Sequence, residues 1–216
     1  MSSPTDAASL LERARAARDP LAARMWLAAA VTEVGLRHGI RAVVTGGTAV
    51  DFYVAGAVGT SDGWPVAWRG SADVDVVALA AEGGIDARRD LFHALETDLG
   101  LKPSYEGVFR TIEVPGYPFG LEIVGDALTH DPTGARVVTV RLEGRHAVFL
   151  RGPEDVVLAY VEGAVATRHR GDWTRALAVF ATQRARIDLA YLRTTAARLR
   201  LSAPIEEIIA GRPMPA

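Results

Sequence analysis

Apolar residues recur at helical spacing near the start of the chain. A stripe around Leu10 predicts a helix over residues 5–18, and a stronger stripe from Leu21 to Leu36 predicts a second helix over 20–38. Both stripes are interleaved with charged positions, as expected of helices that cover a core on one side. The chain therefore opens with two amphipathic helices.

Short apolar runs rich in β-branched residues come next, and they predict strands. The predicted strands cover residues 40–45, 71–79, 105–114, 119–124, 137–142 and 146–150. A helical pattern over 86–99, closed by Gly100, separates the second strand from the third. Residues 54–70 are rich in glycine and interrupted by Pro65, which indicates a loop or an ordered insertion. The middle of the chain is thus rich in β-structure.

The pattern turns helical again from Pro153 onward. Helical periods cover residues 152–169, 171–185 and 187–199, and each begins near an aspartate or a proline. The sequence therefore predicts a mixed α/β body over residues 1–150, which includes the N-terminal helices, and a helical C-terminal region over residues 151–216.

Composition narrows the classes of function. The 216 residues are 49% hydrophobic and 23% charged, which is ordinary globular composition, and the net charge of −2 gives no overall attraction for nucleic acid. The lack of cysteine excludes disulfides, thiolate metal sites and cysteine nucleophiles. The chain has neither a signal-peptide pattern nor an apolar run of membrane-spanning length, so we expect a cytoplasmic protein with no membrane partner.

Gly46, Gly47 and Thr48 lie at the predicted turn between the first strand and the next helix. Glycines let the backbone approach a phosphate closely, and a helix start offers free N–H groups and a positive dipole end. The same residues also suit a tight turn before a helix that starts at Thr48 and is capped by its hydroxyl. Taken alone, the glycine pair favours the simple turn.

Three acidic residues interrupt apolar strands. Asp73 and Asp75 are two positions apart in a strand, so both side chains project to the same face. Two like charges there repel unless a cation or solvent lies between them, and Mg²⁺ prefers carboxylate oxygens together with substrate phosphates. Glu122 is a lone acid in a later apolar strand, and it would complete a three-carboxylate cluster if the two strands are neighbours. The alternative for the aspartate pair is the exposed polar face of an edge strand.

The order of these motifs resembles the nucleotidyltransferase superfamily, also called the polymerase-beta-like fold. A GG[ST]A turn, a DxD strand and one acid in a later strand follow one another from residue 43 to residue 124. Within the superfamily the chain looks like the minimal AbiEii-type and related toxin–antitoxin proteins of bacteria, with a looser likeness over residues 152–192. The resemblance implies an α+β fold, in which a mixed β-sheet flanked by helices forms the catalytic domain and a helical C-terminal region follows.

The resemblance also implies roles for individual residues. Matching the family pattern position by position, the catalytic and metal-binding acids are Asp73, Asp75 and Glu122, and the phosphate-binding turn is Gly46, Gly47 and Thr48. The implied cofactor is Mg²⁺, as two ions, with Mn²⁺ as a substitute, and the implied ligand is a nucleoside triphosphate.

Two departures from the family pattern affect the nucleotide site. Residues 54–70 lengthen the interval between the glycine turn and the DxD strand, as an insertion near the mouth of the active site would. The helix after the Pro-Glu-Asp motif reads Leu158-Ala-Tyr160 where such proteins often carry a lysine that meets the triphosphate. We therefore expect arginine to supply phosphate contacts. The further nucleotide-binding candidates are Arg69, Ser71, Arg168 and Arg170, and each of the arginines also suits a solvated surface.

The activity implied is transfer of a nucleoside monophosphate from a nucleoside triphosphate to a hydroxyl. A toxin-like member would act on a tRNA 3′ end or a protein and would pair with a cognate antitoxin. A tRNA acceptor would require a local basic groove, for which the C-terminal helices offer Arg184, Arg186, Arg193, Arg198 and Arg200. Two alternatives stay open at this stage, a small-molecule (antibiotic) nucleotidyltransferase and a catalytically inactive domain that binds a nucleotide or a protein partner.

Overall fold

The chain folds into two compact units. The computed structural model describes residues 4–58, 71–80, 86–104 and 111–215. Unit 1 comprises Met1–Ala49 and Arg69–Arg151, and unit 2 comprises Val50–Trp68 and Gly152–Ala216. Unit 2 thus combines residues 50–58 with the C-terminal helices, a grouping that no pattern in the sequence indicates.

Unit 1 contains the sheet. Its elements are α1 (Pro4–Ala16), α2 (Pro20–Arg37), β1 (Ile40–Val44), β2 (Asp73–Ala80), α4 (Ala87–Leu99), β3 (Pro103–Ser104), β4 (Thr111–Glu113), β5 (Gly120–Gly125), β6 (Val138–Leu142) and β7 (His146–Leu150). The helix α3 (Gly46–Val58) starts in unit 1 and ends in unit 2. Unit 2 adds α5 (Pro153–Thr167), α6 (Arg170–Gln183), α7 (Leu189–Arg198) and α8 (Ser202–Ile209). Among the described helices, none is both long enough and apolar enough to cross a bilayer.

The helices α2 and α4 of unit 1 end beside the glycines that the sequence marks. The side chain of Asp19 accepts the Ala22 N–H at the start of α2, and Pro20 takes the first helical position. Gly39 follows α2 with a φ of 70°, and Gly100 closes α4 with a φ of 66°. The predicted ends of both helices are confirmed.

The seven-stranded sheet has the order β3-β4-β5-β2-β1-β7-β6. The β5/β2 and β1/β7 pairs are parallel and the remaining pairs are antiparallel, so the sheet is mixed. The predicted α+β architecture is therefore confirmed. Because β2 runs through the middle of the sheet, any charge on it lies between neighbouring strands rather than at an edge.

The two faces of β2 differ in character. Val74 and Val76 are buried on one face. On the other face, Val77 packs in an apolar cluster with Val43 of β1 and Leu128 of the segment after β5. Asp73 and Asp75, which share that second face by strand alternation, are only half-buried. The acids therefore occupy the end of a face whose remainder is covered.

Several predicted boundaries are wrong. The helix α3 begins at Gly46 rather than at Thr48, and it extends to Val58 through residues that the glycine content assigned to a loop. A single glycine inside a helix costs only about 1 kcal/mol, and the preceding Tyr53 and Val54 of α3 are buried. The helix α8 was not predicted, because eight residues give too few turns for a clear period. Residues 59–70, the rest of the predicted insertion, lie outside the described part of the chain.

A buried polar network joins helices within unit 2. Glu154 is 5% exposed and accepts the Asp188 N–H at 2.8 Å, and Asp155 is 1% exposed and accepts the Tyr191 hydroxyl at 2.7 Å. Burial, with the charges of Glu154 and Asp155 added to it, raises the pKa of Tyr53 above its usual value. Two acids at the first turn of α5 also lie where a helix dipole favours negative charge. This network fixes the start of α5.

Candidate active site

The strands bring the predicted acids together on one face of the sheet. In the parallel pair of β2 and β5, Asp75 lies directly opposite Glu122, and Asp73 lies opposite Gly120. Asp73, Asp75 and Glu122 are half-buried, whereas Val74 between the aspartates is completely buried. The sequence predicted this neighbourhood only on the condition that the two strands pair, and they do.

The glycine turn lies against the central acid. Gly46 has a φ of 58°, and a Cβ at its position would come within 1.9 Å of Asp75 Oδ2. The Thr45 N–H donates to the Asp75 carbonyl at 2.9 Å, and the Gly47 N–H donates to the Asp75 carboxylate. Glycine at position 46 is therefore required twice, by its left-handed backbone and by the close approach of a carboxylate.

The environment of the cluster raises the pKa of Asp75. Burial, then the carboxylates of Glu122 and Asp73, raise the pKa of Asp75 to about 6, although the hydrogen bond from Gly47 acts in the opposite direction. Within the described residues, no arginine, lysine or histidine forms an ion pair with any of the three acids. The cluster thus holds excess negative charge that the described protein groups leave uncompensated.

Two hydroxyls near the turn hold the backbone of β2. The Thr48 hydroxyl, which is fully buried, and the Ser71 hydroxyl both donate to the Asp73 carbonyl at 2.9 Å. A Cβ on Gly47 would come within 2.7 Å of the Ser71 side chain, so Ser71 also packs against the glycine turn. Thr48 and Ser71 therefore lie beside the acids, and their hydroxyls donate to the backbone of the strand.

Hydrogen bonds fix one oxygen of each outer acid. Asp73 Oδ1 accepts the Gly120 N–H at 3.1 Å, and Glu122 Oε1 accepts the Thr111 hydroxyl at 3.1 Å. Among the described residues, the second carboxylate oxygens of Asp73 and Glu122 have no hydrogen-bond donor. No set of three acidic or histidine side chains in the described chain stands ready-made around a metal-sized space. A shared cation would therefore require at least one of the three carboxylates to turn from its present rotamer.

Three arginines remain among the predicted nucleotide contacts. Arg69 lies outside the described residues. Arg168 and Arg170 belong to unit 2, where they flank the turn between α5 and α6 and are exposed. Arg168 closes α5 with a φ of 58°, in the left-handed conformation that a helix C-terminus often adopts.

Sequence reasoning missed two residues that contact the site. Arg24 of α2 is 3% exposed and donates to the Ser71 carbonyl, and Thr111 of β4 donates to Glu122. The sequence does carry a signal for Arg24, because it lies on the apolar face of α2, three residues before Leu27 and seven before Val31. Thr111 gave no signal, because its partner is set by the register of β4 on β5.

The comparisons with known proteins bear on the fold. No protein-family model matches the chain, and no curated protein is significantly similar to it in sequence. A crystal structure of an antigenic nucleotidyltransferase-like protein from Paracoccidioides brasiliensis aligns with a TM-score of 0.56 at 14% identity, over 92% of this chain and 95% of that one. The solution structure of the antibiotic-resistance factor ANT(2'')-Ia aligns with a TM-score of 0.51 at 14% identity, over 95% of this chain and 97% of that one.

The chain has a nucleotidyltransferase-type fold. At 14% identity the two alignments support the fold alone. The finer resemblance to AbiEii-type proteins stays a prediction. Because a fold can host several chemistries, any activity of this chain depends on the acids and the glycine turn.

Proposed function

We propose that the chain is a Mg²⁺-dependent nucleotidyltransferase, which moves a nucleoside monophosphate from a nucleoside triphosphate to a hydroxyl. The observation that carries this proposal is the pairing of Asp75 with Glu122 across β2 and β5, with Asp73 on the same face and the glycine turn against Asp75. A shared anionic cluster beside a helix start suits cations that are bound together with phosphates.

The donor set fits a magnesium ion in its chemistry. Asp73, Asp75 and Glu122 offer hard oxygen ligands, and burial together with the carboxylates of Glu122 and Asp73 raises the pKa of Asp75. When bound there, Mg²⁺ would neutralise phosphate charge and lower the pKa of an acceptor hydroxyl. Mn²⁺ has similar oxygen preferences and is expected to substitute for it.

The residues of the chain would act mainly by positioning the reactants. The backbone of Gly47 and Thr48 at the start of α3 would face the triphosphate, and the three acids would hold the acceptor hydroxyl in line with the α-phosphorus. The acceptor oxygen forms a bond to that phosphorus as the bond to the β-phosphate oxygen breaks, so that pyrophosphate leaves. One carboxylate of the cluster takes the hydroxyl proton.

The acceptor distinguishes two versions of this function. A tRNA 3′ end or a protein hydroxyl, with a cognate antitoxin as a further partner, follows from the toxin-like resemblance of the sequence. A small antibiotic is the second candidate, favoured by the alignment with the antibiotic-resistance factor ANT(2'')-Ia over nearly the whole of both chains. If the acceptor is tRNA, we expect its binding to weaken with salt, because arginines of the C-terminal region would contact its phosphates. These arginines are Arg184, Arg186, Arg193, Arg198 and Arg200.

A transfer assay separates these versions. The protein is incubated with each α-³²P-labelled nucleoside triphosphate and Mg²⁺, in turn with total tRNA, with a protein mixture and with hydroxylated antibiotics. Labelling of one acceptor class that is lost in Asp75→Asn and in Glu122→Gln, but kept in the exposed α4 control Asp90→Asn, supports the proposal. Full transfer by Asp75→Asn would refute the catalytic role of the acids. Nucleotide binding by calorimetry with no transfer to any acceptor would favour an inactive nucleotide-binding domain.

A further inference from the structure

Arg24 contacts both segments that lead into the acid-bearing strands. Its Nη1 donates to the Ser71 carbonyl just before β2. Its guanidinium lies over the Phe119 ring just before β5, with Cζ 5.4 Å from the ring centroid. One side chain from α2 thus binds the entrance of each strand, by a hydrogen bond on one side and a cation–π contact on the other.

The contacts of Arg24 continue into a closed ring that includes Asp73. The Ser71 hydroxyl donates to the Asp73 carbonyl at 2.9 Å, and the Asp73 N–H lies 3.4 Å from the same hydroxyl oxygen. The Asp73 carboxylate then accepts the Gly120 N–H at 3.1 Å. Gly120 follows Phe119 in the chain, and the ring of Phe119 contacts the Arg24 guanidinium, which completes the ring of contacts. The orientation of the Asp73 carboxylate is therefore tied to the place of one buried guanidinium.

Arginine is the side chain that suits this place. Arg24 is 3% exposed, and a guanidinium keeps its charge even when buried, so the hydrogen bond to Ser71 and the contact with the Phe119 ring offset part of the cost of burying it. A planar guanidinium can donate from its edge while its flat face covers an aromatic ring, whereas the compact ammonium of lysine has no flat face to stack on a ring. A close matched comparison exists on the same helix, where Arg37 pairs with Asp98 at 3.3 Å.

We propose that Arg24 is a positioning residue for Asp73. It holds the entrances of β2 and β5 at the spacing at which Asp73 Oδ1 stays bound to the Gly120 N–H, and so presets the other oxygen of Asp73 for a divalent cation. The cation part of this inference rests on the proposed function, whereas the hydrogen-bond part does not. The two parts therefore call for separate measurements.

The first measurement uses the metal-free protein. Amide hydrogen exchange at Gly120, followed by ¹⁵N–¹H spectra, is compared in wild type, Arg24→Met, Arg24→Lys and the control Arg37→Met. We expect protection at Gly120 to fall by about tenfold or more in Arg24→Met, to recover in part in Arg24→Lys, and to stay unchanged in Arg37→Met. Wild-type protection in Arg24→Met, or an equal loss in Arg37→Met, would overturn the proposal. If Arg24→Met does not fold, Phe119→Leu removes the ring contact and carries the same expectation.

The second measurement is Mn²⁺ binding, read from the electron paramagnetic resonance signal of the free ion. Loss of support for a metal ligand weakens affinity by about 10–100-fold, so Arg24→Met is expected to bind Mn²⁺ at least about tenfold more weakly than Arg37→Met does. Equal affinity in these two variants counts against Arg24. If wild type itself binds no Mn²⁺, the proposed function fails, and the exchange of Gly120 alone then decides the role of Arg24.

Discussion

Asp75 and Glu122 occupy directly opposing positions on the parallel strands β2 and β5. Burial, together with Glu122 and Asp73, raises the pKa of Asp75 to about 6 in the folded chain. In the unfolded chain an aspartate titrates near ~3.9. The folded state therefore binds this proton more tightly than the unfolded state, and Asp75 contributes most to stability while it is protonated.

The first prediction concerns stability as a function of pH in the absence of metal. The stabilising contribution of Asp75 is fully present below about pH 4 and is lost as the pH rises through about 6. By pH 7 this loss lowers the free energy of unfolding by on the order of 2–3 kcal/mol. Asp75→Asn cannot ionise, so the variant should match wild type near pH 4 and exceed it at pH 7. Urea unfolding in EDTA at both pH values measures the difference.

The control for this titration is Asp90→Asn on the exposed surface of α4, which should follow the wild-type pH profile. Addition of Mg²⁺ at pH 7 should then stabilise wild type and leave Asp75→Asn unaffected, since only the wild-type cluster retains its full ligand set. Parallel pH profiles for wild type and Asp75→Asn would show that the acids do not interact as the structure indicates.

The second prediction isolates the close approach of Gly46 to Asp75. Gly46→Ala incurs two costs, about 1–2 kcal/mol for a left-handed backbone and the displacement of a carboxylate that lies 1.9 Å from the new Cβ. Gly39→Ala is the matched control, because Gly39 has a φ of 70° and nothing within 4 Å of its Cβ position. We expect Gly46→Ala to unfold at clearly lower urea concentration than Gly39→Ala and to lose transfer.

A double-mutant cycle tests the cause of the extra cost. In Asp75→Ala the nearest Asp75 atoms are removed, so adding Gly46→Ala to it should cost little more than Gly39→Ala does. An additive cycle, in which Gly46→Ala costs the same with and without the Asp75 carboxylate, would mean that the turn relaxes away from the acid.

How far the sequence predicts this site depends on the range of each interaction. Local patterns locate β2 and the glycine turn, because strand alternation and φ > 0 depend on neighbours in the chain. The pairing of Asp75 with Glu122 depends instead on β5 lying beside β2, which only the sheet order decides. The sequence could identify both residues as candidate ligands, but it could not establish that they lie side by side.

The missed parts of the site have the same origin. Arg24 acts across the gap between α2 and the entrances of two strands, and no pattern within α2 identifies its partner. The use of the Thr48 hydroxyl on the Asp73 carbonyl, instead of on the first turn of α3, also arises from packing between distant segments. Tertiary hydrogen bonds of this kind have no local period to reveal them.

The third prediction concerns the orientation of Glu122. Thr111→Val keeps the shape of the side chain but removes the hydroxyl that donates to Glu122 Oε1 at 3.1 Å. Freed of this bond, Glu122 samples more rotamers, and transfer should fall by about 10–100-fold, as for other supports of metal ligands. Thr139→Val, at an exposed position of β6, is the control and should keep wild-type kinetics. Unchanged transfer in Thr111→Val would show that Glu122 does not depend on β4.

The fourth prediction addresses unit 2. Tyr191→Phe removes the hydroxyl that donates to Asp155 Oδ1 at 2.7 Å, and Asp155 is 1% exposed. Loss of a donor to a buried carboxylate costs about 1–3 kcal/mol, because water cannot readily replace it. The control is Arg193→Met, which breaks the exposed ion pair with Glu206 and should leave the midpoint of urea unfolding near that of wild type. If both variants shift the midpoint equally, water reaches Asp155 and the network is not what fixes the start of α5.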